Sequence, residues 1–276
     1  MIKLFACDLD GTLLNKDHQV DEIISEAIEM VEEEHKFFTV ASGRHIFENQ
    51  KLDYDINADY FIISMNGALI LDHNSKIISY KCLDKNFISD VLSNFNDYHF
   101  DYVSPKYKYI KQSKEEYYDI LKNGVFKNKK HFDFENIAKY CIFDSKDEDI
   151  MKADIIKLDI ILLGDKAKKF SDFISNYDNV ITNAPSFENA FEITAKDVNK
   201  GMAIRELCHI LDVDEDEVAV YGDGGNDIAM LKMFSHSYAP SNAILEARMC
   251  ASEVIGDHKD HAVALHIMDT LRNRGK

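Results

Sequence analysis

The sequence predicts an α/β protein, a doubly wound and mostly parallel sheet interrupted by an inserted α+β unit. Three observations carry that reading. Short apolar runs alternate with helical patterns at both ends of the chain. Each run closes in a short motif of aspartate, glycine or small polar residues. The middle of the chain switches to two-residue alternation and gathers most of the 13 tyrosines.

Taken in order, Ile2 to Cys7 is apolar apart from Lys3 and runs into Asp8, as suits a strand covered on both faces. DEIISEAIEMVEEEH carries Ile23, Ala27, Ile28 and Val31 at helical spacing. FFTVASGR reads as a second strand, HIFENQKL (residues 45–52) as a short helix, and DYFIISMNGALI as a third strand running into Asn66-Gly67. Near the other end, Lys200 to Leu211 reads as a helix with Met202, Leu207, Ile210 and Leu211 mostly on one side. Val218 to Tyr221 is a strand closed by GDGGND, and Asp227 to Phe234 a helix. SHSYAP, SNAILEARMCA, EVI and a helix near Ala262 to Arg272 continue the alternation. Between them, DYVSPKYKYIKQ and IIKLDIILL alternate as in an antiparallel sheet with helices on one face. Residues 1–82 and 188–276 are therefore expected to form the core, and 83–187 the insertion.

Composition narrows the partners. A chain of 276 residues, 46% hydrophobic, can bury its cores without staples. The net charge of -17 repels nucleic acid and anionic lipid, so neither is an expected partner. A small anionic substrate stays open, because a metal ion and a few lysines reverse the field locally. The five cysteines (Cys7, Cys82, Cys141, Cys208, Cys250) are scattered without a CxxC pair, which reads as reduced thiols. No apolar run reaches the ~20 residues of a membrane span. With no secretory pattern at the N-terminus, a cytoplasmic protein is expected. Oligomeric state is left open.

Four motifs fall at strand ends or helix starts, where open α/β sheets bind ligands. They are Asp8-Leu9-Asp10-Gly11-Thr12, Ser42-Gly43-Arg44, Lys200-Gly201 and Gly222-Asp223-Gly224-Gly225-Asn226-Asp227. Brought together, Asp8, Asp10, Asp223 and Asp227 crowd four carboxylates that only a cation would make tolerable. Hard oxygen donors beside phosphate point to Mg²⁺. The lysine and the Ser42 hydroxyl suit phosphate oxygens, and a carboxylate can attack phosphorus. The sum is a phosphoryl-transfer site. The DxD spacing returns both side chains to one side of an extended strand, and Gly11 permits a sharp exit.

In this order the motifs resemble those of the haloacid dehalogenase-like (HAD) phosphatase superfamily, in its Cof-type branch with a large inserted cap. SMNGALI around Asn66 and APSNA with Asn242 match that branch as well. The resemblance implies a Rossmann-like core, a cap that selects the substrate, and Mg²⁺-dependent hydrolysis of a small phosphorylated metabolite through an aspartyl-phosphate, sugar phosphates first. It implies Asp8 as nucleophile and Asp10 as general acid, then base. Ser42 and Lys200 take catalytic roles at the phosphate, with Gly11, Gly43, Arg44, Asn66 and Asn226 around it. The metal site is Asp8, Asp10 through its carbonyl, Asp223 and Asp227. One departure stands out: Asp257 to Val263 lacks the glycine usual there, a change expected to alter substrate fit without touching catalytic residues.

The same residues admit other readings. A phosphosugar mutase, phosphomannomutase-like, needs a grip on a distal phosphate that arginine suits best, and the insertion holds none; Lys106, Lys108 and Lys111 are the substitutes. Pyridoxal phosphate or flavin mononucleotide are alternative substrates. A non-catalytic scaffold would have lost Asp8 or Asp10. His258, His261 and His266 read as solvated loop and helix before metal ligands. Tyr107 and Tyr109 read as sheet packing before substrate stacking, and Glu32-Glu33-Glu34 as a solvated face.

Overall fold

The computed structural model describes residues 1–45, 59–124, 133–184 and 189–272. Apart from His45, the helix expected over 45–52 lies outside them. The chain divides into two compact units, Met1–Ser79 with Val198–Lys276, and Tyr80–Asp197. The second unit runs past the expected boundary at 187, because the strand Ala190–Ala195 belongs to its sheet.

The first unit opens with β1 (Leu4–Cys7), α1 (Glu22–Glu33), β2 (Phe37–Ala41), β3 (Phe61–Ser64), β4 (Leu69–Leu71) and β5 (Ile77–Tyr80). The insertion follows with α2 (Lys85–Asn94), β6 (Asp101–Val103), β7 (Lys108–Tyr109), α3 (Lys114–Asn123), α4 (Phe134–Ala138), β8 (Cys141–Ile142), α5 (Asp147–Lys152), β9 (Lys157–Ile161), α6 (Gly164–Ile174), β10 (Ile181–Asn183) and β11 (Ala190–Ala195). The first unit then resumes with α7 (Lys200–Leu211), β12 (Val218–Tyr221), α8 (Ile228–Met233), β13 (His236–Pro240), α9 (Leu245–Cys250), β14 (Glu253–Ile255) and α10 (Ala262–Arg272).

The first sheet runs β14-β13-β12-β1-β2-β3-β4-β5. From β14 to β3 the pairing is parallel, with Leu4 of β1 opposite Val218 on one side and Phe37 on the other. β4 turns back antiparallel on β3, so the stretch read as a single third strand holds two, joined through Asn66-Gly67. The chain leaves β1 towards β2 and β3, then returns after the insertion on the opposite side at β12. That reversal makes the carboxyl ends of β1 and β12 the switch point where such sheets bind ligands. β1 is buried along its whole length, as its unbroken apolar run requires.

The helices are oriented by caps and stripes. Asp21 caps α1 by accepting the N–H of Ile24, and Ile24, Ala27, Ile28 and Val31 face inward. Ile23 is 38% exposed, which corrects the expected stripe by one residue. Asn199 caps α7, whose buried side carries Ala203, Ile204, Leu207 and Cys208 while Ile210 is exposed. Among the described residues no helix is long and apolar enough to cross a membrane.

The insertion builds its own sheet, β10-β11-β9-β6-β7-β8, antiparallel except where β7 pairs with β8. Alternation sends Tyr102, Leu158, Ile160 and Ile193 into an aromatic core with Phe87, Phe95, Phe100 and Phe170. Phe95 and Phe170 meet edge to face at 5.2 Å. Helices are not confined to that face. Asp101, next to the inward Tyr102, accepts from Tyr117 of α3, which with Ile110 and Phe134 forms a separate small cluster. Tyr109 packs against the main core, and Tyr107 is largely exposed.

Phe170 is fully buried and its ring meets those of Phe95, Phe100, Phe173 and Phe191, so Phe170→Ala is expected to cost the insertion about 3–5 kcal/mol. Scanning calorimetry reads this as an earlier transition; a loss below about 1 kcal/mol would show the core is not organised around that ring.

Candidate active site

Asp8 begins where β1 ends. Its backbone N–H still donates to the Tyr221 carbonyl at 2.9 Å, which ties it to the end of β12. The chain then turns sharply. Leu13 N–H returns to the Asp8 carbonyl at 3.2 Å, and Leu14 N–H to Leu9 at 3.0 Å. Gly11 sits at φ +81°, and a Cβ there would lie 2.5 Å from an Asp223 carboxylate oxygen. The turn thus needs glycine for its backbone and for the closeness of the two aspartate loops.

Lys200 opens α7 and is completely buried. Its Nζ donates to Asp8 Oδ1 and to Asp227 Oδ1, each at 2.6 Å. Asp227 Oδ2 accepts the backbone N–H groups of Asp223 (2.9 Å) and Gly224 (2.8 Å), so both of its oxygens are engaged in holding the lysine and the GDGGND loop. Asp223 Oδ1 accepts from the Thr12 hydroxyl at 3.1 Å. One carboxylate oxygen from each of Asp8, Asp223 and Asp227 lies within 4.8 Å of the others. Three carboxylates against one ammonium leave a surplus of negative charge, in an all-oxygen donor set that suits a hard divalent cation.

Asp10 faces elsewhere. Its carboxylate takes a two-pronged grip from Arg44, Nε to Oδ2 at 2.7 Å and Nη2 to Oδ1 at 2.5 Å, with His18 Nδ1 3.3 Å from Oδ1. Arg44, expected at phosphate, is bound here to the expected general acid.

The Ser42-Gly43-Arg44 stretch is fixed by a strained turn after β3. Met65 (φ +51°) and Asn66 (φ +57°) are consecutive left-handed residues, a conformation that surrounding contacts must hold. Met65 N–H and the Ser64 hydroxyl donate to the Arg44 carbonyl at 3.1 and 2.7 Å, and Asn66 N–H to that of Ser42 at 3.0 Å. Asn66 Oδ1 accepts from Asn226 Nδ2 at 3.0 Å, and a Cβ on Gly43 would meet that same oxygen. Ser42 Oγ, buried, accepts from the Arg44 N–H at 3.0 Å. Asn66 and Asn226 therefore join the second and fourth motifs. Thr12, His18 and Asn242 also take part, the last by donating to the Gly11 carbonyl at 2.8 Å. Thr12 and Asn242 lie in motifs already noticed; nothing in the sequence marks His18.

Burial pushes the Asp8 carboxyl up to about 7, against the pull of Lys200 and with the help of Asp227 and Asp223. Asp223 is raised by burial and by Asp227. Burial would lower Lys200, but Asp227 and Asp8 outweigh it and hold the ammonium above its usual range. For Asp10, burial is outweighed by Arg44 and His18, which keep it below the usual carboxylate range.

The three histidines near the C-terminus have separate partners. His258 meets the Leu14 carbonyl, His261 meets Asp21, and His266 meets the Tyr221 hydroxyl. They do not converge on one point.

Comparison with known proteins agrees with this architecture. The sequence model of the haloacid dehalogenase-like hydrolases matches residues 5–267. A putative phosphatase of Buchnera aphidicola (subsp. Schizaphis graminum) is 27% identical over 277 residues, covering 97% of this chain and 95% of the relative. Phosphatase YwpJ of Bacillus subtilis is 26% identical over 290 residues, covering 98% and 100%. YwtE of the same organism, named as a 5-amino-6-(5-phospho-D-ribitylamino)uracil phosphatase, is 28% identical over 291 residues, covering 98% of each. Among solved structures, a Thermotoga maritima protein superposes with a TM-score of 0.81 at 22% identity, covering 98% of this chain and 97% of that one.

The raised Asp8 carboxyl fixes a sign. Folding takes this group from its ordinary range up to about 7, so the folded state binds the extra proton between those values. Wild-type stability, relative to Asp8→Asn, falls as pH rises through that window, by at most about 1.4 kcal/mol per pH unit. Chemical denaturation in metal-free buffer should show Asp8→Asn the more stable at pH 8 and the two alike near pH 4; equal stability at both would sink the assignment. Lys200→Met leaves two buried carboxylates facing one another and is expected to cost about 3–5 kcal/mol in the same assay.

Proposed function

The chain belongs to the haloacid dehalogenase-like hydrolase family, and we propose that, as a phosphatase of that family, it hydrolyses small phosphorylated metabolites with Mg²⁺ through an aspartyl-phosphate. The observation that carries the reading is the Lys200 ammonium shared at 2.6 Å by Asp8 and Asp227, beside Asp223. It offers a carboxylate nucleophile paired with an ammonium, beside like-charge neighbours whose remaining surplus a divalent cation would offset.

The residues fit the metal. Asp8, Asp223 and the Asp10 main-chain carbonyl would hold Mg²⁺, while Asp227, with both oxygens engaged, positions Lys200 and the loop. The ion would supply charge neutralisation between the nucleophile and the incoming phosphate.

In the first step an Asp8 oxygen forms a bond to phosphorus as the ester P–O bond breaks, and Asp10 gives its proton to the leaving oxygen. In the second, Asp10 takes a proton from water as that water attacks phosphorus, and the bond to Asp8 breaks to release phosphate. Arg44 bears on the timing. An arriving phosphate competes with Asp10 for the guanidinium, and Asp10 loses the partner that keeps it ionised. Substrate binding thereby favours the protonated acid that the first step needs. Ser42, Asn66 and Asn226 complete the phosphate surroundings.

A sugar or polyol phosphate is the substrate class we favour, with selection of the organic group assigned to the inserted unit. The ribitylamino phosphate in the name of YwtE is of that kind. Hydrolysis is favoured over mutase chemistry because the insertion holds no arginine to grip a second phosphate.

Phosphate release from a panel of sugar phosphates, polyol phosphates, pyridoxal phosphate and flavin mononucleotide tests this. Release should require Mg²⁺, vanish with chelator, and fall at least about a thousandfold in Asp8→Asn and about 10²–10⁴-fold in Asp10→Asn. Turnover that survives in Asp8→Asn would overturn the covalent route.

A further inference from the structure

The loop after Asp8 is held from outside by two side chains remote in sequence. Asn242 Nδ2 donates to the Gly11 carbonyl at 2.8 Å, and its Oδ1 accepts the His258 N–H at 3.1 Å. His258 is 9% exposed, and its Nδ1 lies 2.9 Å from the Leu14 carbonyl. A carbonyl only accepts, so Nδ1 carries the hydrogen. The backbone beside Asn242 is tied in too: Ile244 N–H donates to the Asp223 carbonyl at 3.0 Å. One short segment thus bridges the loop after Asp8 and the loop that carries Asp223.

His258 reaches Leu14 from the stretch that lacks the family's glycine. His261 there adopts φ +57°, a left-handed conformation without a glycine to ease it. Its Nε2 is 2.7 Å from Asp21 Oδ2, and Asp21 is already fixed by capping α1 and by the Asn15 amide at 2.9 Å. His261 anchors the left-handed turn to the cap of α1, and the turn presents His258 to the Asp8 loop.

We propose that His258 and Asn242 are positioning residues for catalysis. By fixing the Gly11 and Leu14 carbonyls they set the course of the backbone from Asp8 to Thr12. On that course depend the direction of the Asp10 carbonyl and the Thr12–Asp223 hydrogen bond. Neither residue touches reacting atoms. The catalytic consequence rests on the phosphatase reading; the loop geometry does not.

The test uses the full-length protein with Mg²⁺ and p-nitrophenyl phosphate, alongside amide hydrogen exchange at Leu13 and Leu14. His258→Ala and Asn242→Ala should lower kcat about ten- to a hundredfold with KM within about threefold, as expected for displacement of order 1 Å. Both should speed exchange at the two amides. His258→Asn sets an amide N–H where Nδ1 stands and should keep kcat within about threefold of wild type. If the alanine variant does not fold, His258→Gln, whose amide reaches further out, takes its place as the defective partner of His258→Asn. A kcat within twofold of wild type in the defective variant overturns the proposal, as does a folded His258→Asn that fails equally. If the wild type releases phosphate from no ester, the phosphatase reading falls by itself. The exchange rates then decide: unchanged protection overturns the positioning role, and protection lost in the defective variant but kept in His258→Asn supports it.

Discussion

A buried ammonium organises the first unit's site. Lys200 has no exposed surface, and an unpaired charge in that position would cost several kcal/mol. It is tolerated because Asp8 and Asp227 arrive from the loops after two different strands to meet it. Those carboxylates are acceptable in turn only because the lysine is there, and burial still lifts Asp8 well out of its ordinary range. The ends of β1, β12 and α7 are therefore locked together by charge as well as by packing. Asp227 extends the lock by using its other oxygen on two N–H groups of its own loop, which sets the direction of Asp223.

The second half of the site is built from backbone in uncommon conformations. Met65 and Asn66 hold Ser42 and Arg44 by their carbonyls, and Asn226 reaches across to Asn66. Left-handed residues in succession persist only where several contacts over-determine them, which is the situation here. His261 repeats the device on the other side of the loop after Asp8. Left-handed backbone thus occurs in the turns that aim the motifs, as it does in several turns elsewhere, while the strands that carry the motifs are regular.

Much of this was legible in the sequence, for reasons that differ by element. Val218–Tyr221 and Lys200–Leu211 were readable because an apolar run stops at Gly222 and because apolar residues recur at helical spacing after Lys200. The stripe of α1 was displaced because Ile23 and Ile24 are adjacent and equally apolar, so periodicity alone did not choose between them. β4 and β5 are three and four residues long, too short for two-residue alternation to register. The motif residues were identified by type, but their partners were not. Nothing local says that Arg44 turns to Asp10. Asn242 and His258 are separated by 231 and 244 positions from the carbonyls they hold, so only the folded sheet brings those pairs together.

Under the proposed mechanism, the pairing of Arg44 with Asp10 bears on how one residue would serve two steps of the reaction. An acid that must donate a proton is badly placed beside a guanidinium, which stabilises its ionised form. A base that must accept one is no better served, since the same charge weakens it. The contact pairs a half-exposed carboxylate with a cation that would otherwise each need another partner. A phosphate group carries more negative charge than Asp10 and suits the same two-pronged grip, so in the proposed reaction its arrival would exchange one anion for another at Arg44. The proposed exchange would couple occupancy of the site to the proton affinity of Asp10 without any further moving part.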